Sequence, residues 1–170
     1  MNVITHSLLP VTVKQLAEFR HPGRVSYRDR LRGWGVIAIF GSLPDILDPH
    51  LTLGAHCNSY SHMWPCMVTI VACCLFAAFI FRKRPWAKLL LWCAPSYALH
   101  VAGDIVSGGL DFLGTGQAIG DWWIPPEAWP VLDLIFITVF ILTHRRVRRL
   151  HGLEPSIVRA LGERIAKSPG

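Results

Sequence analysis

Long apolar runs, separated by short polar segments, dominate this sequence. The run from Met63 to Phe81 has 19 residues without a charge, enough to cross a bilayer as a helix. A second run, from Leu89 to Val106, is expected to return across the membrane with a kink at Pro95. Shorter apolar stretches cover Trp34 to Asp48 and Val131 to Thr143. The pattern predicts an all-α protein, a polytopic transmembrane helical bundle of about four spans.

The two ends of the chain depart from this pattern. Residues 4 to 20 begin apolar, contain Pro10 and end charged, which predicts a short or half-inserted helix. The C-terminal tail is basic, and apolar residues recur in it at helical spacing between Ile157 and Ile165. This spacing predicts an amphipathic helix on the membrane surface. We therefore divide the chain into a membrane-embedded domain, residues 1–145, and a basic cytoplasmic tail, residues 146–170.

The positive charge of the chain is concentrated in three segments. All 17 lysines and arginines lie within residues 14–32, which include a basic loop from His21 to Arg32, and within residues 82–88 and 145–167. The connections 49–62 and 107–128 contain none. Because basic loops stay in the cytoplasm, these two connections are predicted on the opposite side, periplasmic in a bacterium.

Composition supports a membrane protein and excludes other classes. Hydrophobic residues make up 52% of the chain, and the mean hydropathy is +0.38. A net charge of +6 follows from the basic cytoplasmic segments, so we expect the lipid bilayer and not nucleic acid as the partner. The five cysteines include no C-x-x-C pair and are expected to pack as small apolar residues. The expected location is the bacterial inner membrane.

Ionisable residues occur at the ends of the apolar runs, where a polar side chain at membrane depth is costly and indicates a function. His100 and Asp104 are four residues apart and therefore share one face of a helix. Because successive helices alternate in direction, the other acidic and imidazole groups fall at the same, outer end if the first helix runs inward. The residues predicted at this end are His6, Asp45, Asp48, His62, His100 and Asp104.

Imidazole and carboxylate groups together are typical ligands of a divalent metal. They suit catalytic Zn²⁺, with Mn²⁺ or Fe²⁺ as alternatives, whereas Ca²⁺ prefers more oxygens and structural zinc prefers thiolates. The set is large enough for a pair of ions sharing a bridging carboxylate. We expect His50 and His56 to be loop residues, and Asp133 either to reach the interface or to support the site from outside the ligand set. His21, His144 and His151 are expected on the basic side.

Four short motifs carry a resemblance to a known family. Thr5-His6-Ser7, the L-P-D-I-L-D segment at 43–48, Tyr60-Ser61-His62 and the segment 99–109 occur in the order found in the YdjM-like inner-membrane proteins. That family consists of membrane-bound metal-dependent hydrolases, and the resemblance covers residues 1 to 145. The family's H-R-G-x-T-H element is represented here by His56 to His62, which is one residue longer and lacks the arginine.

The YdjM-like family is in turn distantly similar to the zinc-dependent phospholipases C and single-strand nucleases, in which His and Asp residues on helices bind zinc. The resemblance implies a set of metal ligands, with Asp104 as a candidate bridge. These ligands would be His6, Asp45, His62, His100 and Asp104.

The expected activity is hydrolysis by a metal-activated water, at a site that opens to the outer face. A bound metal would lower the pKa of water towards 7, and Asp48 is the predicted general base. A phosphoester or other ester of a lipid-like molecule is the expected substrate, because a site at this depth is reached most easily from the bilayer. The alternative is a non-enzymatic membrane protein that binds or conducts a divalent cation. A structural protein with a hydrogen-bonded polar core is a third interpretation.

Overall fold

The computed structural model describes residues 3–20, 26–49, 56–120 and 124–150, and it is all-helical there. Short 3₁₀ turns at Tyr60–His62 and Pro126–Ala128 precede the fourth and the sixth α-helix. In the described ranges, β-structure is limited to one isolated antiparallel bridge between Leu110 and Ile119. The prediction of an all-α protein is confirmed. The α-helices are α1 (Val3–Arg20), α2 (Tyr27–Gly41), α3 (Leu43–Leu47), α4 (Trp64–Ile80), α5 (Ala87–Ser107) and α6 (Trp129–Leu150).

Helix α2 begins earlier than the apolar pattern suggested. A basic loop was predicted up to Arg32, but the chain is helical from Tyr27 onwards, so that part of the prediction is wrong. The reason is an N-terminal cap: the Ser26 side-chain oxygen accepts a hydrogen bond from the Asp29 backbone N–H at 3.2 Å. The capped turn lets the helix start on charged residues, ahead of its apolar part.

The last helix, α6, also extends beyond its apolar run. It continues without a break from Trp129 to Leu150, past Thr143 and through residues 145 and 146. The surface helix predicted between Ile157 and Ile165 lies outside the described residues.

Of the described helices, α5 is the one that has both the length and the apolar composition needed to cross a membrane. It has 21 residues and is continuous through Pro95. Helix α4 is apolar throughout but has 17 residues. The structure therefore supports an all-helical protein with one candidate span.

The directions of the helices follow from contacts near their ends. The Thr5 hydroxyl donates to the Asp133 carboxylate near the starts of α1 and α6, and Thr143 bonds Gln15 further along both helices, so α1 and α6 are parallel. Glu18 at the end of α1 pairs with Arg30 at the start of α2, with 2.7 Å between Arg30 Nη1 and Glu18 Oε2. Helices α1 and α2 are therefore antiparallel.

Helix α1 packs against α2, α5 and α6, while α5 packs against α2 and α4. The bundle has one end at which α1, α4 and α6 start and α2 and α5 end. There the buried residues Tyr97, Val101 and Leu110 pack against the start of α4 and the end of α5 as an apolar cluster. We call this the site end of the bundle. At the other end, the basic end, Lys14 lies over the ring of Trp92 and Arg146 over the ring of Phe19.

A glycine-dependent loop closes over the end of α5. Gly120 has φ of 85°, and a Cβ on it would lie 2.0 Å from the Ile105 carbonyl oxygen. This approach leaves no room for a side chain, so only glycine permits the loop to return here. The bridge between Leu110 and Ile119 then holds the loop against the site end.

Candidate metal centre

The carboxylate of Asp104, buried near the end of α5, is surrounded by four imidazoles. His6 Nε2 lies 2.9 Å from Asp104 Oδ1. His100 Nε2 lies 3.0 Å from Oδ2, and the Nε2 atoms of His56 and His62 each lie 3.4 Å from the same oxygen. One carboxylate thus has nitrogen atoms of four histidines within direct-contact distance.

A second carboxylate, that of Asp45 on α3, faces the same imidazoles. Its Oδ1 lies 3.5 Å from His62 Nε2, 3.7 Å from His100 Nε2 and 3.9 Å from His56 Nδ1. Within the described part of the chain, the six residues form two groups whose ligand atoms all lie within 4.8 Å of one another: His6, His100 and Asp104, and Asp45, His56 and His62. Each group has the composition of a metal site with three protein ligands.

Two chain features bring Asp45 to this position. Helix α2 ends at Gly41, and Ser42 separates it from α3, in which Pro44 occupies the first turn, where proline is favoured. The Ser42 hydroxyl also hydrogen-bonds the Ser7 hydroxyl on α1, which ties the break to the helix that carries the first histidine. The break redirects the chain so that Asp45 faces the end of α5.

Gly41 allows the close approach of α1 and α2. A Cβ at this position would lie 2.5 Å from the His6 carbonyl oxygen and 2.9 Å from Pro10 Cγ. Any side chain here would push the start of α1, and the imidazole of His6 with it, away from the cluster.

The hydrogen bonds of His100 show which of its nitrogens carries the proton. Nδ1 lies 2.6 Å from the Gly41 carbonyl oxygen, which can only accept, so Nδ1 is protonated. In the neutral ring, Nε2 therefore presents a lone pair, and it points at Asp104 Oδ2 and at His62 Nε2, 3.1 Å away. Lone pairs and a carboxylate so close together repel one another, so this arrangement requires positive charge, either protons on the rings or a metal ion between them. The donor set therefore fits a divalent metal.

The electrostatics of His62 point the same way. Burial alone would lower the pKa of this imidazole, but the carboxylates of Asp104 and Asp45 outweigh burial and raise the pKa above its usual value. The site thus favours positive charge at the point where the two carboxylates meet.

The members of the cluster differ in their exposure to solvent. The side chains of Asp45 and His56 are 19% and 18% exposed, whereas those of His6, His62, His100 and Asp104 are almost fully buried. Asp45 and His56 are therefore the two members of the cluster that solvent reaches.

The structure brings together all five residues predicted as metal ligands. They are distant in the sequence: Asp45 precedes His100 by 55 residues and Asp104 by 59.

Asp48, predicted as general base, is not one of the six clustered residues, and it accepts a hydrogen bond from Ser59 Oγ at 2.7 Å. Its catalytic role stays a prediction. Asp133 accepts a hydrogen bond from the hydroxyl of Thr5, which precedes His6 in the chain. His50 lies outside the described residues.

Sequence reasoning missed one member of the cluster, His56. We expected a loop residue, but its ring contacts both Asp45 and Asp104. The signal that could have found it is the spacing of His56 and His62, two imidazoles six residues apart in a segment that lies between two carboxylate-bearing helices.

Comparisons with protein-family models, with curated proteins and with solved structures gave no match. The resemblance to the YdjM-like family stays a prediction.

Proposed function

We propose that this protein is a membrane-embedded metal-dependent hydrolase whose site is the cluster around Asp104. The observation that carries the proposal is the arrangement at Asp104 Oδ2, where the Nε2 of His100 lies 3.0 Å from the oxygen and two further imidazoles lie at 3.4 Å. A cation is the simplest group that makes this arrangement favourable. The mixture of imidazole and carboxylate without thiolate favours Zn²⁺, with Mn²⁺ or Fe²⁺ as alternatives.

Two features favour a catalytic role for this metal over a purely structural one. Structural zinc sites are closed and rich in thiolates, whereas this cluster contains no cysteine and opens towards Asp45 and His56. When bound, the metal would supply a water nucleophile at neutral pH and polarise the scissile bond. The residues of the chain hold the metal and leave its open side to the substrate, which we propose to be a phosphoester or other ester of a lipid-like molecule.

The membrane part of the proposal draws on the exposed surface as well as on α5. Large apolar side chains of α4 and α6 point away from the protein, with Phe76 68% and Leu134 64% exposed. A soluble protein rarely leaves apolar faces of this kind in contact with water. We propose that these helices face the lipid of a bacterial inner membrane, with the basic end in the cytoplasm and the site end towards the periplasm. The protein should then stay in the membrane pellet after alkaline carbonate washing.

Elemental analysis of detergent-purified protein tests the metal. We expect stoichiometric zinc, or manganese or iron, in the wild type and its loss in Asp104→Asn, which keeps the shape of the side chain but removes its charge. The matched control is Asp133→Asn, which changes another buried carboxylate that is hydrogen-bonded outside the cluster. Equal metal content in all three proteins would show that the metal is not bound at this site.

Turnover separates a hydrolase from a protein that only binds or conducts cations. With bis(p-nitrophenyl) phosphate as a generic phosphodiester, we expect metal-dependent hydrolysis that His100→Ala reduces at least a hundredfold. His144→Ala, which removes an imidazole bonded to Tyr27 outside the cluster, should retain activity. Stoichiometric metal without turnover of this diester or of p-nitrophenyl esters, together with metal uptake into proteoliposomes, would favour the cation carrier instead.

A further inference from the structure

A chain of hydrogen bonds joins Asp48 to the imidazole of His62. Ser59 Oγ donates to Asp48 Oδ2 at 2.7 Å. Ser59 Oγ and Ser61 Oγ are 2.8 Å apart, and both contact His62 Nδ1, at 3.1 Å and 3.0 Å respectively. All four side chains belong to the segment between the end of α3 and the start of α4.

The direction of every hydrogen bond in this chain follows from its acidic end. A carboxylate only accepts, so the single hydroxyl proton of Ser59 is used at Asp48. The bond between the two serines must then use the proton of Ser61. With both hydroxyl protons engaged, the serine oxygens can only accept from the imidazole, so Nδ1 of His62 must carry the proton.

The proton on Nδ1 of His62 determines the state of the other ring nitrogen, Nε2. A neutral His62 protonated on Nδ1 presents a lone pair on Nε2, the atom that lies 3.5 Å from Asp45 Oδ1 and 3.4 Å from Asp104 Oδ2. This is the nitrogen that faces the cluster. The opposite tautomer would place a hydrogen where a metal must bind.

We propose that Asp48 is a positioning residue, which acts through Ser59 and Ser61 to set the tautomer and orientation of His62 for metal binding. This inference depends on the proposed metal site. It gives Asp48 a function other than general base, because Asp48 accepts the hydroxyl proton of Ser59, which in turn contacts His62. The backbone serves His100 in the same way, since the Gly41 carbonyl holds the proton on its Nδ1.

The turn that carries these serines is held in place by α5. The Tyr97 hydroxyl, fully buried, donates to the Ser61 carbonyl oxygen. The turn that carries the hydrogen bonds between Asp48 and His62 is therefore anchored to α5, the helix that also carries His100 and Asp104. Such a fixed support is what a residue that orients a metal ligand requires.

The test compares Ser59→Ala with wild type in the full-length, detergent-purified protein. Without Ser59, the proton of Ser61 is released to donate to His62 Nδ1, which favours the wrong tautomer. We expect the affinity for Zn²⁺, measured by competition with a chromophoric chelator, to fall about 10- to 100-fold, as for other groups that orient metal ligands. The matched control is Ser96→Ala, which removes an equally buried hydroxyl that bonds the Trp92 carbonyl, and Ser59→Thr should restore affinity.

Two further measurements distinguish orientation from general structural damage. In metal-free protein with ¹⁵N-labelled histidine, the signals of His62 should change from the Nδ1–H to the Nε2–H tautomer in Ser59→Ala. Asp48→Ala should lower the affinity in the same direction, and the double variant should lose no more than the larger single effect, because both act through one chain.

The outcomes separate the two proposals. If wild type binds Zn²⁺ and Ser59→Ala binds it equally well with unchanged tautomer signals, the positioning role is overturned and the metal site stands. If wild type binds no metal, the proposed function fails, while the tautomer of His62 in the metal-free protein still reports on the hydrogen-bond chain. Equal losses in Ser59→Ala and Ser96→Ala would also contradict the inference, since they would indicate non-specific destabilisation.

Discussion

At the scale of single residues, the distinctive feature is a buried carboxylate whose near neighbours are imidazoles. Burying a charge costs several kcal/mol unless it is paired, so Asp104 requires compensating positive charge, either protons on the histidines or a metal ion. The Gly41 carbonyl contacts Nδ1 of His100, and the hydroxyls of Ser59 and Ser61 contact Nδ1 of His62. Both rings therefore direct Nε2 towards Asp104. These two supports favour the metal.

His56, with a carboxylate near each ring nitrogen, provides a prediction at this scale. Nδ1 lies 3.9 Å from Asp45 and Nε2 3.4 Å from Asp104, so replacing the ring removes a ligand from the open side of the cluster. We expect His56→Ala to weaken Zn²⁺ binding at least tenfold, which corresponds to about 1.4 kcal/mol. Chelator competition measures the change, with His144→Ala as the control. An unchanged affinity would make His56 a neighbour of the site and not a ligand.

At the scale of helices, the site depends on how closely α1 and α2 cross. The contact at Gly41 brings the backbone of α1 against the last turn of α2, and the carbonyl of the same glycine accepts the bond from His100. Gly41 therefore permits the close approach of α1 and also orients His100 on α5. Local geometry at one glycine couples three helices.

Adding one methyl group tests this coupling. Gly41→Ala would place Cβ 2.5 Å from the His6 carbonyl, and we expect a loss of about 1 to 3 kcal/mol in stability, typical of overpacking, together with weaker metal binding. Gly35→Ala is the matched control, because it lies in the same helix and its Cβ would meet nothing within 4 Å. There we expect unchanged or higher stability, by up to about 1 kcal/mol, from the better helix propensity of alanine. Thermal unfolding in detergent compares the two, and equal effects would contradict the close crossing.

At the scale of the whole molecule, the cluster joins parts of the chain that are otherwise distant. His6 comes from α1, Asp45 from α3, His62 from the turn before α4, and Asp104 from α5. Metal bound by these residues would crosslink the bundle at the site end. Folding and metal binding should therefore be thermodynamically linked.

Chelation tests this linkage. Ligand at 100 times its Kd stabilises a folded protein by about 2.7 kcal/mol, so removal of metal with EDTA should lower the Tm by several degrees and added Zn²⁺ should restore it. Asp104→Asn, which lacks the central carboxylate, should show a Tm that responds to neither EDTA nor Zn²⁺. A wild-type Tm that does not change with EDTA would contradict metal binding as a contribution to stability.

Much of the fold and of the candidate site could be predicted from apolar periodicity. The runs around α4 and α5 indicated helices of nearly the observed length, and the alternation of direction placed His6, His62 and Asp104 at one end. The pattern did not reveal that α2 begins at Tyr27, because a serine cap there outweighs the polarity of the following residues. Nor did it reveal His56, since a histidine in a polar segment looks the same whether or not it faces a carboxylate.

The sequence by itself determined the helical class and the separation of basic and acidic ends, because apolar spacing and the positions of charged residues are properties of the chain. Apolar spacing and alternating helix direction also predicted six acidic and imidazole residues at one end, and the family resemblance implied which five of them would be ligands. Only the tertiary structure decided which nitrogen of each histidine faces Asp104, and which neighbour holds its proton. The Gly41 carbonyl and the His100 ring are separated by 59 residues, and their 2.6 Å contact depends on how closely three helices pack. Proton positions follow from such contacts and not from residue spacing.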